Sequence, residues 1–259
     1  MRLDLVSDFW DRFASNRSYA RTVLRGFRRE PLTVGYCLAH RLLAPNTVRH
    51  RLQITSTGGM GTTFLYEFAQ RAKLDIYKPY DGGECWFDYG MWKHLREPVG
   101  QGATSHLKVR RGFRVVYLVG NPFESVMSLF RRGFNYWTPD RLGVPPDVIE
   151  RFNRRWTLEE YLAQGEDFFL LEQHVRNWTT PDPARGYPIL VMKYEALGAH
   201  RDVLMDFMQV PSTKRGQFPE VTPRISSISS LPAATVENMQ AMYGSLLDHI
   251  NGLPDWYEH

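Results

Sequence analysis

Leu52-Gln53-Ile54-Thr55-Ser56-Thr57-Gly58-Gly59-Met60-Gly61-Thr62-Thr63-Phe64-Leu65 is the stretch on which the reading of this chain turns. Leu52 to Ser56 reads as a short strand. The glycines that follow let the backbone turn sharply and bring its N–H groups close to a ligand. From Thr62 to Lys73 a helix is expected, because Phe64, Leu65, Phe68, Ala69 and Ala72 fall at helical spacing. Such a helix aims its first N–H groups and its dipole at the point the turn encloses, which makes an anion site. Gly58, Gly59, Met60, Gly61, Thr62 and Thr63 are the expected phosphate-binding residues, the threonines adding hydroxyl donors. No lysine follows Gly61, so the GxxxxGK[ST] loop of ATP and GTP enzymes is absent, which speaks against an ordinary NTPase or kinase.

Downstream, Phe113 to Val119 is the clearest strand, β-branched and aromatic, and Gly120-Asn121-Pro122 breaks it. Pro122 suits the first helical turn and Glu124 complements the helix dipole, so a helix is expected to about Arg132. Residues 133–156, with Pro139, Pro145 and Pro146, read as a loop-like insertion over a site. Helices are expected over 158–164, 168–178, 195–208 and 233–250, and a third strand over 187–194. Residues 211–232 read as a Ser/Pro/Arg-rich loop. Strands alternating with helices predict an α/β fold of three layers: a mainly parallel central sheet with helices on both faces.

The whole chain of 259 residues is expected to form one domain, with residues 1–50 a helical, basic N-terminal extension. Arg17, Arg21, Arg25, Arg28 and Arg29 interleave there with Tyr19, Val23, Leu24 and Phe27. A basic amphipathic face of this kind serves peripheral membrane contact or, more commonly, is simply solvated. At 43% hydrophobic and 23% charged residues the composition is that of a globular protein with a core. The formal net charge of +4 fits an anionic substrate, nucleic acid or a membrane surface about equally, and no nucleic-acid-binding motif accompanies it. Cys37 and Cys85 form no metal-ligand spacing, so no metal is expected; a reducing compartment is the simplest reading and one disulfide the alternative. With no transmembrane run and no signal-peptide pattern, a soluble protein of the cytoplasm or another intracellular compartment is expected.

Thr57 to Leu65, TGGMGTTFL, resembles the 5′-phosphosulfate loop of sulfotransferases, commonly PKSGTTWL. Gly120 to Arg132, GNPFESVMSLFRR, resembles their 3′-phosphate segment, commonly RNPxDxxxSxxxR, and Leu190 to Leu197, LVMKYEAL, resembles the later strand that often ends in YEDL. His174 to Trp178 is also similar to a stretch of the family, and order and spacing match across roughly residues 50–210. The resemblance implies a P-loop-containing, sulfotransferase-like fold. It implies transfer of a sulfuryl group from 3′-phosphoadenosine 5′-phosphosulfate (PAPS) to a hydroxyl or amine of a small molecule or carbohydrate. By position, Gly58 to Thr63 would hold the 5′-phosphosulfate and Ser128 the 3′-phosphate, with Arg131 or Arg132 nearby.

Two positions depart from the family. Its loop lysine falls at Gly59, and the arginine of its RNP falls at Gly120. The lysine normally steadies charge on the bridging oxygen, and the arginine grips phosphate. Lys78, Lys93, Arg131, Arg132 and Arg224 are candidates to replace them, while Lys108, Arg110, Arg111 and Arg114 read as a solvated face. Trp92-Lys93-His94-Leu95 resembles the KTHLP segment that carries a histidine base, so His94 is the first candidate for the base and Lys93 for the missing charge. Glu67, six residues after Gly61, matches the place of a catalytic glutamate in heparan-type sulfotransferases, and His106 is a third candidate. Tyr77 to Gly83 and Trp86, Phe87, Tyr89 and Trp92 are expected to shape an acceptor pocket. The rival readings are phosphoryl transfer through a degenerate loop and a non-catalytic nucleotide-binding protein on the same fold.

Overall fold

A computed structural model describes residues 48, 50–76, 94–105, 107–136, 138–221 and 228–259; the expected N-terminal helices lie outside these residues. The first strand, β1, is Leu52–Ser56, and the helix after the glycine turn, α1, is Thr62–Arg71. β2 is Arg114–Val119 and α2 is Pro122–Arg131. There follow α3 (Thr138–Arg141), α4 (Pro146–Arg151), α5 (Leu158–Leu162) and α6 (Leu171–Thr179). β3 is Ile189–Lys193, then come α7 (Arg201–Phe207), α8 (Ser212–Arg215), the long α9 (Ala233–Gly252) and a last strand, β4, Trp256–Glu258.

The sheet runs β1-β2-β3-β4, parallel through the first three strands and antiparallel at the last pair. Side chains along a strand alternate between faces, and the burial follows that period. Val115, Tyr117, Val119, Ile189 and Val191 share the larger core cluster with residues of α2, α6 and α9. Ile54, Val116, Leu118, Leu190 and Met192 face the other way, toward α1 and α7. The sheet is therefore covered on both faces, which is why its strands read as near-continuous apolar runs.

One contact fixes where a ligand should meet this sheet. After α1 the chain returns to the outer edge of β1, where Ile76 bridges Leu52 in parallel. The next strand, β2, lies on the opposite side of β1, and the helices that follow it cover the opposite face. The chain thus reverses direction at β1. In open α/β sheets such a reversal opens a crevice at the carboxyl ends of the strands. Those ends are Ser56, Val119 and Lys193.

Two expectations need correction. Residues 133–156 are not a loop draped over a site: Pro139 and Pro146 sit in the first turns of short helices, and Leu142, Val144 and Phe152 are buried in the larger cluster. The helix expected over 195–208 begins late, at Arg201, after a 3₁₀ turn over Tyr194–Ala196. A half-buried aspartate ties this side together. Asp167 accepts from Tyr243 Oη at 2.8 Å and Tyr161 Oη at 3.3 Å, and burial pushes its carboxyl up. Among the described residues no helix is long and apolar enough to cross a membrane, and no group of three or more metal-ligating side chains gathers.

Candidate functional site

The carboxyl end of β1 becomes the glycine turn. Gly58, Gly59 and Gly61 all have positive φ, at 103°, 70° and 73°, a region in which side-chain-bearing residues are strained. Gly58 N–H donates to Ser56 Oγ at 3.0 Å, and its carbonyl accepts from Ser125 Oγ on α2 at 2.7 Å. Among the described residues these bonds use neither the Gly59, Gly61, Thr62 nor Thr63 amide. Gly61 stands at the N-cap of α1 with no side-chain cap, and the first turn carries no acidic residue. Among the described residues no loop or cap bond takes these four N–H groups, which stand at a positive helix end with Thr62 buried and Thr63 exposed.

Two of these glycines, and Gly120 after β2, have close neighbours. A Cβ on Gly59 would lie 3.3 Å from Ser128 Cβ and 3.4 Å from the Ser125 backbone. Residue 59 is pressed onto α2, so a side chain there would be strained at its φ of 70° and would need its neighbours to give by a few tenths of an ångström. A Cβ on Gly120 would lie 2.9 Å from Met60 Sδ and 3.3–3.4 Å from the Glu195 carboxylate oxygens. On Gly61 it would lie 2.5 Å from Tyr194 Cε2. Loop, α2 and the end of β3 close on one another because these three positions lack side chains.

The start of α2 is well determined. Asn121 Oδ1 accepts from Phe123 N–H at 2.9 Å, a cap worth about 1 kcal/mol, with Pro122 in the first turn. This aims the helix so that Ser125 reaches Gly58 and Ser128 meets Gly59.

His94 is brought to the same place. Its Nδ1 lies 2.8 Å from the Ser56 carbonyl oxygen. A carbonyl only accepts, so Nδ1 carries the proton, and in the neutral ring Nε2 holds the lone pair. Cε1, bonded to both ring nitrogens, lies 3.8 Å from the Cβ position of Gly58. The ring therefore rests against the start of the glycine turn.

Of the expected site residues, Gly58, Gly59, Met60, Gly61, Thr62, Thr63, Ser128 and His94 gather at the strand end. Glu67 is exposed, on the face of α1 turned from the sheet, between buried Tyr66 and Phe68. Arg131 and Arg132 lie at the far end of α2, and Arg132 donates to the Ser128 carbonyl and stacks over Phe134. Lys108, Arg110 and Arg111 are exposed before β2, at the opposite end of the sheet, and Arg114 donates to the Phe207 carbonyl at the end of α7. Lys93, Lys78, His106, Arg224 and the aromatic residues 77–92 lie outside the described residues.

Tyr194 and Glu195 belong to the site through their contacts with Gly61 and Gly120, and sequence reading noted them only as part of a motif. Ser56 and Ser125 were missed. Their signal was only a small hydroxyl residue at a strand end and in a first helical turn, and many surface serines look the same. No protein-family model matches this chain, and no curated protein matches it.

Proposed function

We propose that the chain is a sulfotransferase, moving a sulfuryl group from PAPS to a hydroxyl or amine of a small molecule or carbohydrate. The observation that carries this reading is the seat of His94: an imidazole with its tautomer set by Ser56, resting on the first glycine of an amide-lined loop. A base and an anion cradle thereby share one strand end, as transfer to a hydroxyl requires.

In this reading the amides of Gly59, Gly61, Thr62 and Thr63, with the threonine hydroxyls, bind the 5′-phosphosulfate. His94 Nε2 takes the proton of the attacking hydroxyl as its oxygen bonds to sulfur. The bond from sulfur to the phosphate oxygen breaks, and 3′,5′-adenosine bisphosphate leaves with that electron pair. Ser128, beside the loop, would bind the donor's other phosphate.

A second reading has its own observation. Residue 59 is crowded against α2 at a positive φ where the resembled motif carries its lysine, and a glycine stands at 120 where it carries an arginine, which favours a different nucleotide or binding without catalysis. Calorimetry with 3′,5′-adenosine bisphosphate against ATP separates the two. The sulfotransferase reading predicts binding of the bisphosphate and not of ATP; the reverse preference overturns it. His94→Ala is expected to abolish transfer, at least about a hundred-fold, while bisphosphate affinity stays nearly intact. Unchanged turnover would remove His94 from the chemistry.

A further inference from the structure

Residues 94–97 form neither helix nor strand, yet one face of α6 holds them from behind. Trp178 Nε1–H donates to the Leu95 carbonyl at 2.7 Å, and Asn177 Nδ2–H donates to the Arg96 carbonyl at 3.2 Å. His174, Asn177 and Trp178 stand three and four residues apart, so they share a face of the helix. That face is itself fixed. Trp178 is fully buried and stacks on Tyr117 of β2 with ring centroids 5.4 Å apart and planes within 3°. His174, also fully buried, shares a 3.0 Å hydrogen bond with Tyr117 Oη through Nδ1.

The result is a chain of rigid parts from the middle of the sheet to the imidazole. β2 fixes Tyr117, Tyr117 fixes the ring stack of α6, and α6 fixes two successive carbonyls beside His94. A segment without its own backbone ladder wanders unless its polar groups are tied, and here two are tied by side chains.

We infer that Asn177 and Trp178 are positioning residues for His94, holding the 94–96 backbone so that Nδ1–H stays on the Ser56 carbonyl and Cε1 stays at the glycine turn. This rests on the proposed role of His94 as base, but the placement is testable apart from that role. A purely structural role for the two side chains would stabilise the fold without governing the ring of His94.

The test uses full-length protein with ¹⁵N-labelled histidine, His94 being assigned through His94→Ala. The wild type is expected to report the Nδ1–H tautomer at residue 94. Trp178→Phe keeps the ring stack and removes the donor; Asn177→Leu removes the other donor at a half-buried position. In each folded variant the His94 signal is expected to move toward the Nε2–H form, and transfer to fall about five-fold, the loss that one hydrogen bond supports. Affinity for 3′,5′-adenosine bisphosphate is expected to stay within about two-fold, since the loop amides are untouched. An Nε2–H tautomer in the wild type overturns the inference without any variant. An unchanged tautomer in both variants overturns it as well, and if Trp178→Phe does not fold, Asn177→Leu decides. A wild type that neither binds the bisphosphate nor transfers sulfate would defeat the functional reading alone, because the tautomer measurement still decides the positioning.

Discussion

The glycine turn over residues 57–63 and the segment over residues 94–97 meet at one strand end, yet they are held by opposite means. The turn is a backbone device: positive-φ glycines, an uncapped helix end, and close approach to α2 and Tyr194. The His94 segment is a side-chain device, tied by Asn177 and Trp178 from α6 and by its own ring to Ser56. A backbone device fails when any side chain is added. A side-chain device fails when one donor is removed or a buried ring is charged.

The largest expected effect breaks the side-chain device with acid. Burial pushes His174 from 6.5 down to about 3, with the charges of His94 and Arg96 pushing the same way. The folded state then binds fewer protons than the unfolded chain between these two values. Stability rises with pH across that window and is lost as pH falls through it, by about 1.4 kcal/mol per pH unit from this group. His174→Phe is expected to be less stable at neutral pH, having lost the Tyr117 bond, but to show a slope shallower by about one proton. Urea unfolding from pH 7 to pH 4 measures both slopes; equal slopes would mean that His174 is not held neutral. Asp167 acts in the opposite sense, since a carboxyl pushed up by burial lowers stability as pH rises through its titration.

Next comes the backbone device. Gly61→Val puts a β-branched residue at a φ of 73° with its Cβ against Tyr194, and is expected to cost about 3 kcal/mol or more and to abolish anion binding. Gly59→Lys adds a side chain at a positive φ against Ser125 and Ser128 of α2, and is expected to cost about 1–2 kcal/mol. Gly120→Arg should cost least, about 1 kcal/mol or below, because its neighbours are the flexible end of Met60 and a carboxylate able to pair with it. Denaturant titration ranks the three, and a Gly59→Lys protein as stable as the wild type would show that the loop does not need that close approach.

The same contrast explains what was legible in the sequence. β1, α1, β2 and α2 depend on local pattern, and each was expected within two residues of its observed bounds. The last strand was missed because Trp256–Glu258 is short and pairs through a long-range register with β3. The short helices at Pro139 and Pro146 were missed because proline reads both as a breaker and as a first-turn residue. At the site, the loop glycines were legible because their φ requirement is local. The grip of α6 on residues 94–96 spans about eighty residues, and nothing in the spacing of Asn177 or Trp178 distinguishes it from ordinary core packing.

The proposed function depends most on an anion being held by backbone amides at the head of α1. A titration of ¹⁵N-labelled protein with 3′,5′-adenosine bisphosphate tests this directly. The amides of Gly59, Gly61, Thr62 and Thr63 are predicted to shift most, to saturate together, and to stay still in Gly61→Val. Saturating ligand that leaves those amides unmoved, or moves instead the residues around Lys108 and Arg110 at the other end of the sheet, would contradict it.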